Sequence, residues 1–587
     1  MKFTLRTKEK YKNDFVKNLM KERGLVDTDE EYEHYLNPTK DDLIEPTKLD
    51  NIEDGYNLLY SHIKQGNKIM ILVDPDVDGF TSASMLYMYL KDVFKDDDFE
   101  LVVKLPKGKE HGLRSIVDDF TETHLCDLLI IPDAGSNDFK EHELLSSLDY
   151  DILCIDHHEC DEGYSKNAIV INNQLSEDYE NKNLSGAGVV YKFLQYIDKQ
   201  LGINKANNYI DVATAGIIID MMDIITPENR YIISQGCKEL KNIFLQQLSM
   251  HTSIKKITNL TPTDYSWYIG PSINALIRMG SDIDKENLFN AFIDGQRIVS
   301  SNKKGSKDGD YECLAEQVAR RCINIKNEQK KQQAAAATML GIEIDNNMLS
   351  ENKIIIVDCS DLNISRNLTG LIAMNLAKSY KRPVLLGRVN SEGYLKGSGR
   401  GLEGSDLKDF REFLLNSGYI EMAQGHANAF GYAIKATNIN KLTHYANEKL
   451  RNIDFNENTY EVDFSFNDKE MKFLPNAIYD VADKCYVFGK GNVEPVFLIQ
   501  NITIRKDDIK IIGKNKDTLK ISINGIDFIK FHCSQNFVEY VNKLYNRKPY
   551  FYMANIVGRA SVNEWNGVTT PQIFIDNIEF LDLYGGF

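Results

Sequence analysis

No stretch of the 587 residues approaches the roughly 20 consecutive apolar residues that a membrane span needs. The opening MKFTLRTKEKYKND lacks the apolar segment of a secretory signal. The nine cysteines include no CxxC pair and no disulfide-like spacing, which predicts reduced thiols in a cytosol and no membrane contact. Repeats are absent. A basic excess is missing too: the formal net charge is −17. Alone, that charge argues against nonspecific nucleic-acid binding, which needs basic surface. A net charge is a sum, however. A metal site concentrates Asp at one point, and its cations reverse the field there. Basic stretches also exist, chiefly Lys303, Lys304, Lys307, Arg320, Arg321, Lys326, Lys330 and Lys331, which read as a solvated helix face.

What is present is an ordinary globular balance, with 42% hydrophobic and 26% charged residues, in a chain too long for one core. Three or four domains are expected. Residues 1–50 are polar and read as a helical extension with a break at Asn37-Pro38. A βα rhythm follows. Lys68–Val73, Asp127–Pro132 and Asp151–Ile155 read as short buried strands, with a helix near Thr81–Phe94, and predict a parallel sheet covered on both faces. Asp310–Ile344 has almost no Gly or Pro and reads as one long helix. A second βα unit follows at Lys353–Val357, Asn367–Ser379 and Pro383–Leu386. From about residue 455, short alternating strands (Tyr460–Phe464, Val496–Ile499, Ile509–Ile512, Leu519–Ile523, Tyr550–Val557, Gln572–Ile575) predict a small β-barrel.

The first strand ends in Asp74-Pro-Asp76-Val-Asp78-Gly79. Three carboxylates at alternate positions are costly unless a cation sits among them. An EF-hand loop is excluded, because the flanks are strand-like and its twelfth position holds Met85 rather than Glu. The second strand ends at Asp133-Ala-Gly135 and the third at Asp156-His157-His158. Acid or imidazole at the carboxyl ends of three successive strands marks the ligand end of an open α/β sheet. A mixed Asp/His set suits Mn²⁺ or Mg²⁺, and no nearby Cys suggests a zinc–thiolate site. Within Asp211–Asp223 (DVATAGIIIDMMD), Asp220 lies in an apolar run, where a metal ligand is satisfied and an unpaired acid is not. Asp223 reads as no more than a helix-end cap.

D-x-D-x-D-G, D-x-G, DHH and an apolar helix holding an Asp, in that order, resemble the signature of the DHH phosphoesterases. Other segments resemble the RecJ exonucleases of that superfamily: Leu184-Ser-Gly-Ala-Gly188, Pro227–Arg230 and Ile273–Gly280. Gly397-Ser398-Gly399-Arg400 and Gly425-His426-Ala427 resemble motifs of the DHH-associated domain. Phe488–Phe497, Gly558-Arg559 and Asn563–Gly567 resemble the OB-like domain. The resemblance covers about residues 60–580.

It implies an α/β fold: a parallel-sheet DHH domain (51–305) after the extension (1–50), joined by a long helix (306–350) to a second α/β lobe, the DHH-associated domain (351–454), and then an OB-like barrel (455–587). It implies two divalent cations, Mn²⁺ or Mg²⁺. Asp133 would bridge them, Asp76 would serve one, and Asp78, His157 and Asp220 the other, with Asp74 in or just behind the ligand set. Asp156 would orient His157, while His158 and Arg278 would face the scissile phosphate. Ser398, Arg400 and His426 would bind substrate. Lys107 or Lys109 would replace a phosphate-binding Arg that the family carries and this chain lacks. Val73 stands where the family has Gly, the second motif reads DAG, and Gln424 replaces a Gly; none of these changes removes a ligand. The implied activity is 5′→3′ hydrolysis of single-stranded DNA to 5′-mononucleotides in repair, recombination or replication, with a single-strand-binding protein or helicase as candidate partners. The alternatives are a DHH-type oligonucleotide or cyclic-dinucleotide phosphodiesterase and a non-catalytic scaffold. Intact carboxylates disfavour the scaffold, and a C-terminal barrel disfavours a dinucleotide enzyme.

Overall fold

The computed structural model describes residues 1–587 except 9, 107, 109, 110, 115, 161, 363, 403, 456–458, 546–550 and 582–587. The chain divides into two compact units. The first comprises Leu25–Asn327 and Cys485–Val493; the second comprises Met1–Gly24, Glu328–Lys484 and Glu494–Phe587. Among the described residues, no helix is long and apolar enough to cross a membrane.

The first unit is built on a parallel sheet of β1 (Lys68–Leu72), β2 (Glu100–Lys104), β3 (Leu128–Pro132), β4 (Asp151–Asp156) and β5 (Ile169–Asn172). Its order is β2-β1-β3-β4-β5, and every neighbouring pair is parallel. Side chains alternate across the sheet. Ile69 and Ile71 enter one core with α1 (Val77–Val93), α2 (Gly186–Leu201) and α3 (Ile210–Ile219). Met70 and Leu72 enter a second core with Phe120, Leu129 and Ile131. Both faces are thus covered, as a parallel sheet requires. After β1 the chain crosses to one side and then returns past it to β3. The resulting switch point, at the strands' carboxyl ends, opens a crevice.

In the second unit, β6 (Ile355–Asp358), β7 (Val384–Val389), β8 (Tyr394–Arg400), β9 (Ile420–His426) and β10 (Ala429–Lys435) form a mixed sheet of order β9-β10-β8-β7-β6. The expected long helix is α4 (Leu314–Asn346), whose 33 residues rise about 50 Å. α5 (Thr369–Tyr380) packs on β7 and β8. The C-terminal sheet contains β11 (Phe464–Asn467), β12 (Val496–Arg505), β13 (Ile509–Ile512), β14 (Thr518–Ile523), β15 (Ile526–Lys530), β16 (Phe551–Trp565) and β17 (Val568–Leu581). They run in the order β11-β12-β16-β17-β15-β14-β13.

The organisation differs from a simple run of consecutive segments in two places. Residues 1–50 are not one helical extension. Lys2–Leu5 is a strand paired in parallel with Thr459–Val462, and Met1–Gly24 belong to the second unit. The reason is local: Phe3 and Leu5 alternate with polar residues, a strand pattern. Cys485–Val493, inside the expected C-terminal domain, clusters with the first unit. Ile224 N donates to Lys490 O (3.0 Å), and Arg230 Nη1 donates to Tyr486 O (3.3 Å), so this segment is part of the first unit.

Candidate metal centre

The Asp and His residues of the four motifs meet in the crevice. Asp76 caps α1, its Oδ1 accepting from Gly79 N (2.9 Å). One helical step on, Asp78 is buried and aimed at the start of α2. It accepts from Ser185 Oγ (2.9 Å), Gly186 N (2.6 Å) and Ala187 N (3.1 Å), an anion seated on a helix N-terminus. That is the work of the Leu184–Gly188 segment. Asp133, at the end of β3, is held in a left-handed backbone (φ 68°), which Asp tolerates better than most residues. Asp220 closes α3.

His157 Nε2 points into the acids, 3.2 Å from Asp133 Oδ1, 3.5 Å from Asp220 Oδ2 and 3.9 Å from Asp78 Oδ2. Asp133 is 1% exposed, yet its Oδ1 accepts no hydrogen bond. Burial, then the charges of Asp78, Asp76, Asp74 and Asp220, push its carboxyl far above the usual range. Burial likewise raises Asp74 and Asp78, and burial with Asp78 and Asp76 pushes Asp220 up to about 8. Burial lowers His157, keeping its ring neutral and its lone pair available. A fully buried acceptor with no donor, among acids that repel one another, is a donor set that fits divalent cations. Asp78, His157 and Asp220 can share one ion, and Asp74, Asp76 and His111 another, since the ligand atoms within each group lie within 4.8 Å of one another.

Asp156 does not orient the ring of His157. Its Oδ1 accepts from the amides of His157 (2.7 Å) and His158 (3.2 Å) and from His158 Nδ1 (2.8 Å), while its Oδ2 accepts from Ser136 N (2.9 Å). Consecutive residues of an extended chain diverge, so the ring that returns to Asp156 is that of His158. Burial alone would raise the Asp156 carboxyl, but the His158 hydrogen bond and charge hold it well below the usual range. Desolvation would lower His158, but Asp156 pushes it up to about 9. The other ring nitrogen of His158 is not engaged by Asp156. His158 lines a cavity of about 880 Å³ together with His111, Arg114, Ser136 and Asn137. Asn172 braces this wall, its amide donating to Ser136 Oγ (2.8 Å) and His158 O (2.9 Å).

Three residues of the site escaped the sequence reading. His111 Nδ1 is hydrogen-bonded to Asp74 Oδ2, and Gly112 N donates to Asp74 Oδ1 (3.1 Å). Arg114, 3.3 Å from Asp138, brings a guanidinium to the cavity wall. Asn172 had no motif around it. Lys107 and Lys109 lie outside the described residues. Arg278 is exposed on the last turn of the helix Gly270–Met279 and, among the described residues, does not line the cavity.

In the second unit, Arg400, His426, Lys378 and Asn428 line a cavity of about 590 Å³. Ser398 Oγ lies 3.3 Å from Thr369 Oγ1, at the first turn of α5. The three substrate residues expected there are therefore neighbours. Phe488 is buried, whereas Trp565 is 72% exposed at the tip of the β16–β17 hairpin, paired with Val568 across the two-residue turn Asn566-Gly567. Much of the basic run is matched by acids, as a solvated face predicts. Lys303 pairs with Glu316 (2.6 Å), Arg320 with Glu312 (2.8 Å) and Arg321 with Asp284 (2.8 Å).

Comparison with known proteins agrees with this geometry. The DHH family, N-terminal domain, matches residues 68–217, and the RecJ OB domain matches residues 468–577. The chain is 34% identical to the Bacillus subtilis protein named "Putative SPbeta prophage-derived single-strand DNA-specific exonuclease YorK", over 99% of this chain and 98% of that one. It is 25% identical to the single-stranded-DNA-specific exonuclease RecJ of Bacillus subtilis, over 97% of this chain and 68% of that one. The crystal structure of Thermus thermophilus RecJ with Mn²⁺ shares the fold, with a TM-score of 0.70 at 19% identity over 97% of this chain and 76% of that one. An end-to-end relative, both domain matches and the DHH-type crevice make this chain a member of the RecJ family of DHH-superfamily hydrolases.

Proposed function

We propose that the protein is a 5′→3′ exonuclease of single-stranded DNA, releasing 5′-mononucleotides in repair, recombination or replication in the cytosol. The observation that carries this reading is the set of Asp78, Asp133 and Asp220 gathered around His157 Nε2, with Asp74 and Asp76 in the same crevice and a buried Asp133 oxygen that accepts no hydrogen bond. Two divalent cations, Mn²⁺ or Mg²⁺, held by this set would supply Lewis acidity at the phosphodiester and a nucleophile from water. The chain's own residues do the rest. Asp133 takes the shared central position. The start of α2 holds Asp78 in place. Asp156 orients the ring of His158 and favours its protonated form, and the other ring nitrogen is placed to donate to a phosphate oxygen as charge develops there. In this reading residues 51–305 carry the chemistry, residues 351–454 hold the strand's terminal phosphate, and residues 455–587 without Cys485–Val493 hold its track. Trp565 offers a face on which a base can stack.

The names of its relatives support single-stranded DNA as the substrate. The test is digestion of a long single strand labelled at either end, with Mn²⁺ and with Mg²⁺. Release of a labelled mononucleotide from the 5′ end first is expected. Cleavage of dinucleotides but not of long strands would favour the small phosphodiesterase reading instead.

Arg400→Ala tests the end-binding role. The guanidinium fork suits a terminal phosphate, with Ser398 alongside. Cleavage of 5′-phosphorylated strands should fall by roughly tenfold or more, as loss of a charge-assisted hydrogen bond implies, and cleavage of 5′-hydroxyl strands should fall less. Equal losses on both substrates would make Arg400 a support of the fold or track only.

A further inference from the structure

We propose that His111 is a nitrogen ligand of the cation held by Asp74 and Asp76, and that it sets this site's preference for Mn²⁺ over Mg²⁺. The inference rests on the reading of the crevice as a metal centre and adds a ligand to it from outside the four motifs.

The loop after β2 delivers His111 to the first motif. Gly112 N donates to Asp74 Oδ1 (3.1 Å), and Leu113 N donates to Asp138 Oδ2 (2.8 Å), so main-chain bonds on the next two residues fix where the imidazole stands. Leu113 itself is fully buried and anchors the loop in the core beneath. The His111 nitrogen, a carboxylate oxygen of Asp74 and one of Asp76 all lie within 4.8 Å of one another. Ligand bonds of about 2.0–2.3 Å around one ion span such a spread. His111 also lines the cavity of about 880 Å³ beside His158. A further sign that a cation belongs in this crevice is Asp133 Oδ1, fully buried with no hydrogen-bond donor.

Without His111 this second position offers only carboxylate oxygen, which serves Mg²⁺ and Mn²⁺ alike. Mg²⁺ is hard, demands near-ideal octahedral geometry and is usually held by oxygen. An imidazole nitrogen favours the later, softer ion. The other position already owns an imidazole, that of His157. With His111 each of the two positions has one nitrogen donor, and both lean toward Mn²⁺.

The experiment measures metal binding without substrate. Full-length metal-free protein is titrated with Mn²⁺ and read by electron paramagnetic resonance, with Mg²⁺ as competitor, for wild type, His111→Asn and His111→Gln. Circular dichroism checks that each variant is folded. Loss of a ring nitrogen should weaken Mn²⁺ binding at one position by about 10-fold or more and Mg²⁺ binding distinctly less, so the Mn²⁺/Mg²⁺ ratio falls in both variants. Equal losses for both ions would make His111 only a hydrogen-bonding prop for Asp74 and overturn the proposal, as would an unchanged ratio with unchanged affinities. If wild type itself binds neither ion, the metal-centre reading fails, a result distinct from failure of His111 alone.

Discussion

Asp133→Asn should lower phosphodiester hydrolysis by on the order of 10³-fold or more, because in the proposed reading its carboxylate is shared by the two cations. Asn is the informative replacement. It keeps the shape, and it tolerates the left-handed backbone (φ 68°) that Ala would strain. The stability effect should run the other way. In metal-free protein the Asp133 carboxyl is buried beside Asp78, Asp76, Asp74 and Asp220, and these charges raise its proton affinity. Removing one member relieves that repulsion. In chelator, thermal unfolding of Asp133→Asn should therefore come at or above the wild-type temperature. Added Mn²⁺, which stabilises wild type by binding only the folded form, should stabilise the variant much less. Activity within tenfold of wild type would remove Asp133 from the centre of the site.

The carboxylates were legible in the sequence because each comes directly after an uninterrupted apolar run. KIMIL, LLIIP and DILCID are interior strands of a parallel sheet, and such strands read as continuous hydrophobic stretches. The two strands missed are the sheet's edges. ELVVK and IVIN each pair on only one flank, and each carries a polar residue at an end. With β2 unrecognised, the loop beyond it had no anchor in the sheet. His111 and Arg114 sit in that polar loop with no periodicity, and only the hydrogen bonds to Asp74 and the shared cavity wall tie them to the site.

The glycine-rich segment was visible as a motif but mute as to its purpose. Its spacing reports neither that Ser185 and two amides seat Asp78 nor that Gly186 touches Asp133. Likewise, Phe488 and Trp565 both lie in segments that resemble the OB-like domain, and only their burial separates a core side chain in the first unit from an exposed one on a hairpin tip. Asp156 was assigned the wrong imidazole because adjacent His residues cannot be told apart until the strand end fixes which ring returns to it.

Gly186→Ala carries the second large effect, and it tests the packing that holds the site together. A Cβ at Gly186 would stand 2.3 Å from Asp133 Oδ1, 2.5 Å from its Cβ and 2.7 Å from its Cα. Two of those three atoms belong to the rigid part of Asp133, so the clash cannot be relieved by a rotamer change alone. Either Asp133 shifts, or α2 retreats and lengthens the 2.6 Å bond from Gly186 N to Asp78 Oδ2. Both routes move a ligand by about 1 Å, and a displacement of that size costs roughly 10²-fold in rate. Gly216→Ala should act similarly from α3, since its Cβ would stand 2.3 Å from Asp78 Oδ1 and 2.5 Å from Ala187 Cβ. At Gly216, inside α3, helix propensity favours Ala by about 1 kcal/mol and offsets part of the clash; Gly186, the first residue of α2, has no such compensation. The measurement is kcat and Mn²⁺ affinity for both variants alongside their thermal transitions. Activity and metal affinity should fall together while the chain stays folded. A Gly186→Ala protein with wild-type kcat and metal affinity would show that α2 does not set the position of Asp133.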